Sequence, residues 1–317
     1  MAPRDYHFNE SINVKVVKLD SIKTQLPYDY YSLPFCRPPV VVEAAENLGE
    51  VLSGDKIETS AYSVNMLVDQ YCKVVCRKEF SKEELQKLSS AIEDEYRVNW
   101  LLDNLPAATK YIQQSTTSDD SNAQLVERYE KGFPIGFVGS ELYPGSAPGV
   151  KYIYNHLLLN VFYHHEQKLD NSAVRIVGFE VQTYSVKHKI EDNYKWNQPN
   201  TQDPIEWDRI QQANSDHITT CFHVAKTDST DDSNAQPKLT EPVKSDFQKV
   251  GSVDQGDDTI IFTYDVKWHA KSDVRWASRW DVYLQMTDSK IHWFSIVNSI
   301  MIVLFLSGES INCVTDF

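Results

Sequence analysis

Residues Ile260 to Trp268 read IIFTYDVKW. Ile260, Phe262, Tyr264, Val266 and Trp268 fall on every second position, the period of a β-strand that buries one face. The same period recurs upstream. Val177, Phe179 and Val181 alternate in one segment, and Ile153, Leu157, Leu159, Val161 and Tyr163 share a strand face in another. Nearer the start, Asn13 to Leu19, Glu58 to Val68 and Tyr71 to Cys76 read as further strands. One segment reads as a good helix, Ser81 to Trp100. Ser81 is an N-cap residue with Glu84 three positions on, the spelling of a capping box, and Leu85, Leu88, Ile92 and Tyr96 follow at helical spacing. Many strands with a single helix predict a mainly β fold, an antiparallel β-sandwich-like domain with one packed helix at about 81–100.

The chain has 317 residues, enough for a sizeable core, and carries 17 Tyr, 13 Phe and 7 Trp. Its net charge of −14 repels phosphates, which excludes nucleic acid as a partner. No nucleophile elbow, phosphate-binding glycine loop, dinucleotide fingerprint or HExxH zinc motif occurs. Gly132-Phe-Pro-Ile-Gly136 contains no Lys or Ser to hold a phosphate and reads as a turn. His156 and His164 share a strand face but lie roughly 26 Å apart along it, too far for one metal. Glu191, Asp192, His164 and His165 are the last candidates for acid-base chemistry, and no spacing ties them together. The expectation is a protein that is not an enzyme, with no catalytic, cofactor-binding or metal-binding residues.

Toward the end, Ile291 to Gly308 is an 18-residue run without Asp, Glu, Lys or Arg, the lower limit of a bilayer-spanning helix. Trp276, Trp280 and Trp293 bracket its start as interfacial tryptophans do. The basic residues Lys271, Arg275, Arg279 and Lys290 precede it; counted alone they favour a cytosolic domain, but large domains cross membranes largely regardless of charge. A partner is therefore expected in the lipid bilayer, through residues 291–308.

Of five cysteines, Cys36, Cys72, Cys76 and Cys221 precede the apolar run. In an oxidising lumen they form two disulfides, in any of three pairings; in the cytosol they are buried thiols. Cys72-x-x-x-Cys76 has no second ligand pair at zinc spacing. The disulfide reading is the expectation. Asn9-Glu10-Ser11 is the single N-glycosylation sequon, so Asn9 is the candidate acceptor.

The segments WASRWD (Trp276 to Asp281), HWFSIVNS (His292 to Ser299) and LFLSG (Leu304 to Gly308) closely resemble the nonaspanins, the transmembrane-nine superfamily. LPFC (Leu33 to Cys36), ENLGEVLSGDKIE (Glu46 to Glu58), the cysteine pair at 72 and 76, DNLPA (Asp103 to Ala107), GFPIG (Gly132 to Gly136) and YIYNH (Tyr152 to His156) match in the same order. The resemblance implies a leader peptide, a large lumenal domain and nine membrane helices. It further implies residence in Golgi and endosomal membranes and a role in sorting membrane-protein cargo. It assigns no catalytic residue. Trp276, Arg279, Trp280, Asp281, His292 and Trp293 form the juxtamembrane motif, with a structural role in the exit toward the membrane. The expected organisation is a lumenal β-rich domain at 1–275, a juxtamembrane segment at 276–290, an incomplete first transmembrane helix at 291–308 and an atypical tail at 309–317. The leader and eight further helices are expected to be missing from a truncated product. A lumenal lectin-like module is the alternative, since exposed Tyr and Trp can stack sugars.

Overall fold

The computed structural model describes residues 4–43, 56–115, 124–165, 174–220, 246–250, 259–284 and 297–307. The chain divides into two compact units, Met1–Met286 and Thr287–Phe317.

The first unit is mainly β. Its strands are β1 (Ser11–Asp20), β2 (Tyr28–Asp29), β3 (Glu58–Asn65), β4 (Gln70–Glu79), β5 (Arg97–Leu102), β6 (Leu105–Pro106), β7 (Ala108–Ser115), β8 (Gln124–Lys131), β9 (Phe133–Pro134), β10 (Gly136–Val138), β11 (Lys151–Ile153), β12 (His156–His164), β13 (Arg175–Tyr184) and β14 (Thr259–Ala270). One six-stranded sheet runs β2-β1-β5-β6, with β3 on β1 and β9 on β5; the other runs β4-β14-β12-β13-β7-β8. Strands β10 and β11 form a separate hairpin.

The sheets face each other across one core. Val14, Val16 and Trp100 from the first sheet and Leu159, Val161, Phe179 and Tyr264 from the second belong to a single buried cluster. Tyr264 crosses between them: its ring lies 5.2 Å from Tyr62, its hydroxyl donates to the Ser63 carbonyl at 2.8 Å, and the Ser63 N–H donates back to it. Strand β1 buries Ile12, Val14 and Val16, then Leu19. The change of phase follows a bulge between Val16 and Lys18, which inserts one residue and turns the remaining side chains over. Ile153 lies on β11, apart from Leu157, Leu159 and Val161 on β12, because Tyr154 and Asn155 interrupt the strand.

The sandwich is mixed rather than purely antiparallel. Strand β12 runs parallel to β14, and β13 parallel to β7. These neighbours are far apart in sequence, and the long crossovers that join them leave no local signal.

The helix α1 (Lys82–Glu93) begins at Ser81 with both arms of the capping box in place and buries Leu85, Leu88, Ala91 and Ile92. It stops well before Trp100. Glu95 takes a left-handed φ of 56°; its N–H donates to the Ile92 carbonyl and that of Tyr96 to the Ala91 carbonyl, a Schellman termination. The chain then re-enters as β5, with Val98, Trp100 and Leu102 inward. A second helix, α2 (Pro204–Ser215), starts at an Asp203 N-cap with Pro at its first position. It packs on β4 through polar groups: Gln211 Nε2 donates to the Val75 carbonyl at 2.9 Å, and the Val74 N–H donates to Ser215 Oγ at 2.9 Å.

In the second unit, residues 297–307 are helical and exposed. Among the described residues no helix is long and apolar enough to cross a membrane, so the expected membrane helix at 291–308 is described only in part.

Candidate functional site

The turn between β5 and β6 consists of Asp103 and Asn104, both at positive φ (49° and 63°). Asp and Asn tolerate this geometry, which suits a two-residue hairpin. Leu102 and Leu105 on either side are fully buried, so the turn is pulled close to the core and the Asp103 carboxylate with it. Four segments meet there. The Arg279 guanidinium donates to Asp103 Oδ2 at 2.6 Å and to the Ile176 carbonyl at 3.1 Å. The Tyr6 hydroxyl donates to Asp103 Oδ1 at 2.9 Å, and Tyr6 itself bridges to Val174 just ahead of β13. Arg279 is 3% exposed. Burial, and then the neighbouring Asp103 carboxylate, push the Tyr6 phenol well above its ordinary pKa, so it stays a donor.

The motif around Arg279 serves this contact. A short 3-10 turn (Trp276–Ser278) and a helical turn α3 (Asp281–Leu284) flank it. The Trp276 ring stacks under the guanidinium, 4.6 Å from its carbon, a cation–π contact. Tyr283 packs against the main core, whereas Trp280 and Asp281 face outward. The segment 276–284 is thereby part of the β-rich unit, held by a buried ion pair whose rupture costs about 3–5 kcal/mol when one partner is left alone. His292 and Trp293 lie outside the described residues.

Cys36 and Cys76 form a disulfide with Cα atoms 5.9 Å apart. It ties the loop after the Tyr30–Ser32 turn to β4. Cys72 is also disulfide-bonded; Cys221 lies outside the described residues. Asn9 is exposed at the turn before β1.

The carboxylates and histidines weighed for catalysis do not converge in any arrangement the structure records. His164 Nδ1 pairs with the Lys271 carbonyl at 2.9 Å, and Glu191 with His217 at 2.7 Å; His165, Glu191 and Asp192 are exposed. Among the described residues no group of three or more His, Cys, Asp or Glu could hold a metal ion. His156 belongs instead to a buried polar chain. Its Nδ1 and His188 Nε2 each lie 2.8 Å from Thr263 Oγ1, His188 Nδ1 lies 3.0 Å from Thr220 Oγ1, and His156 Nε2 lies 3.7 Å from Asp265. Burial, with the adjacent His156, pushes His188 down to about 3. Asp265 accepts the Cys72 N–H at 2.6 Å. Thr263 is 0% exposed.

One open cleft, of about 850 Å³, lies between α1 and the β1–β2 turn. Leu26, Tyr28, Leu33 and Tyr96 line it with Glu83 and Lys87. The Tyr28 and Tyr96 rings lie 5.4 Å apart, and Tyr28 is 49% exposed.

Tyr6 and Asp103 are members of this buried junction that strand periodicity does not reveal. The Asp-Asn dipeptide between two leucines is the available signal, since it spells a hairpin turn.

The sequence model of the family "Endomembrane protein 70" matches residues 27–314. Transmembrane 9 superfamily member 10 of Arabidopsis thaliana is 43% identical over 97% of this chain and 41% of its own length. Transmembrane 9 superfamily member 4 of Homo sapiens is 34% identical over 97% of this chain and 42% of its own. Member 11 of Arabidopsis thaliana is 33% identical, with coverage of 96% and 42%. The chain thus spans about two fifths of the length of the curated relatives it matches. No solved structure matches it.

Proposed function

The chain belongs to the Endomembrane protein 70 family, and on that premise we propose that it is the lumenal domain of an endomembrane protein that sorts membrane-protein cargo in the Golgi–endosome system. It acts by binding rather than by catalysis. The family's names, which describe membrane proteins and not enzymes, support the endomembrane part of this reading. The disulfides at Cys36–Cys76 and at Cys72 favour an oxidising compartment and hence the lumenal side. The observation that carries the reading is the Arg279–Asp103 ion pair. It makes the segment leading in sequence to the apolar run 291–308 a packed part of the domain. The β sandwich and the segment 276–284 are then one packed unit, which precedes the apolar run in sequence.

The test is a surface and Golgi proteome of cells that lack the full-length protein. A defined set of membrane proteins should be misplaced, and the wild-type protein should restore them. Asp103→Ala should fail to do so, because it strands the Arg279 charge in the core. An unchanged distribution of membrane proteins in the deficient cells sinks the sorting role.

A second reading, a carbohydrate-binding module, is favoured by the cleft with its Tyr28 and Tyr96 rings and its polar rim. Glycan-array binding that is lost in Tyr28→Ala would establish it. A blank array with the folded protein removes it.

A further inference from the structure

We propose that Asn9 carries an N-linked glycan in the mature protein. This rests on the lumenal reading above and adds a site and a chemistry to it. Asn9-Glu10-Ser11 is the single Asn-x-Ser/Thr sequence in the chain, and the fold presents it in a form that accepts the modification.

Asn9 sits at the tip of the turn that enters β1, exposed, with φ at 62°, a left-handed conformation that Asn adopts more readily than most residues. The turn is fixed from both sides. The Asn9 N–H donates to the Met66 carbonyl at 2.9 Å, and the Met66 N–H donates to the Glu10 carbonyl at 2.9 Å. The side chain is oriented as well, because Asn65 Nδ2 donates to Asn9 Oδ1 at 3.0 Å. That contact engages the amide oxygen, whereas the chemistry takes place at the nitrogen. Ser11, whose hydroxyl completes the acceptor sequence, is exposed at the first position of β1.

The co-substrate is a lipid-linked diphospho-oligosaccharide. Asn9 Nδ2 attacks the anomeric carbon of the first sugar, and a carbon–nitrogen bond forms as the carbon–oxygen bond to diphosphate breaks. The lipid diphosphate leaves with the bonding pair, and one amide proton passes to a base. The product keeps one N–H and the carbonyl oxygen, so the bond from Asn65 survives and the turn has no reason to move. The transferring machinery acts in the compartment in which disulfides form, and the pair Cys36–Cys76 in the same domain fits that environment.

The test uses the full-length protein isolated from its own membranes. Digestion with peptide-N-glycosidase should produce a mobility shift of one glycan and leave aspartate at position 9, read by peptide mass spectrometry. Asn9→Gln and Ser11→Ala should each abolish the shift. Ser11→Thr should retain it, and that variant separates loss of the acceptor from a general folding defect. An unmodified Asn9 peptide from molecules in which Cys36–Cys76 is oxidised overturns the site while leaving the lumenal reading intact. An unmodified Asn9 together with free thiols at 36 and 76 overturns both.

Discussion

Ile260, Phe262, Tyr264 and Val266 look from β14 into the main core, whereas Ile261, Thr263 and Asp265 look the other way, toward β4, His156 and His188. Both faces are buried, but they are held by different physics. The first is apolar packing between two sheets, almost indifferent to pH. The second is a small apolar cluster of Cys72, Val74, Ile218 and Ile261 beside a chain of hydrogen bonds that runs from His156 through Thr263 to His188. The Thr263 hydroxyl has one proton, so it donates to one imidazole and accepts from the other. Such a network is stable only in the protonation states that satisfy it.

Four measurements can break or sharpen this contrast. Phe262→Ala should lose about 4 kcal/mol by cavity formation in the main core, with equal loss in urea melts at pH 7.5 and pH 5. A pH-dependent loss there would erase the distinction between the faces. Thr263→Val keeps the shape but removes the hydroxyl that both rings use, and should lose about 2–3 kcal/mol.

The third measurement is pH itself. His188 is held neutral with its pKa down at about 3, whereas in the unfolded chain it titrates near 6.5. The unfolded state therefore takes up a proton first as pH falls, so stability is full above pH 6.5 and declines between 6.5 and 3. By pH 5 the loss should reach about 2 kcal/mol, and His188→Gln should flatten the slope between pH 7 and 5. A wild-type protein equally stable at both pH values shows that the histidine chain does not resist protonation. The smallest change is Ser215→Ala, which removes the acceptor of the Val74 N–H and should lose about 1 kcal/mol, alike at every pH.

The same contrast explains what was legible in the sequence. Period-two apolar positions mark the core face of β14; on β13 Phe179 and Val181 join the main core but Ile176 takes the place of Val177, because the register shifts opposite Phe162 and Tyr163; the β-rich class follows from the pattern. The capping box at Ser81 and Glu84 marks where α1 begins. Its end is hidden because a glutamate, Glu95, occupies the left-handed position where glycine is the usual signal. Helix α2 escapes a search for apolar periodicity because the groups it buries include Gln211, Asn214 and Ser215. Only the Asp203-Pro204 start gives it away. Of the candidate junction, Arg279 and its tryptophans were readable as a motif. Asp103 was readable as part of the DNLPA segment and of a hairpin turn, but its pairing with Tyr6 and Arg279 was not, because buried charge pairs are chosen by tertiary proximity and leave no local pattern. The parallel pairings of β12 with β14 and of β7 with β13 are likewise set by packing, not by any dipeptide.

The ion pair between Arg279 and Asp103 joins residues 176 positions apart. A ribosome delivers Asp103 and its turn early, and the pair cannot close until the chain has been made through position 279. Until then the Asp103 carboxylate must stay hydrated, and the turn that carries it cannot settle fully against Leu102 and Leu105. Closure of the pair therefore marks the moment at which the last segment of the sandwich has arrived.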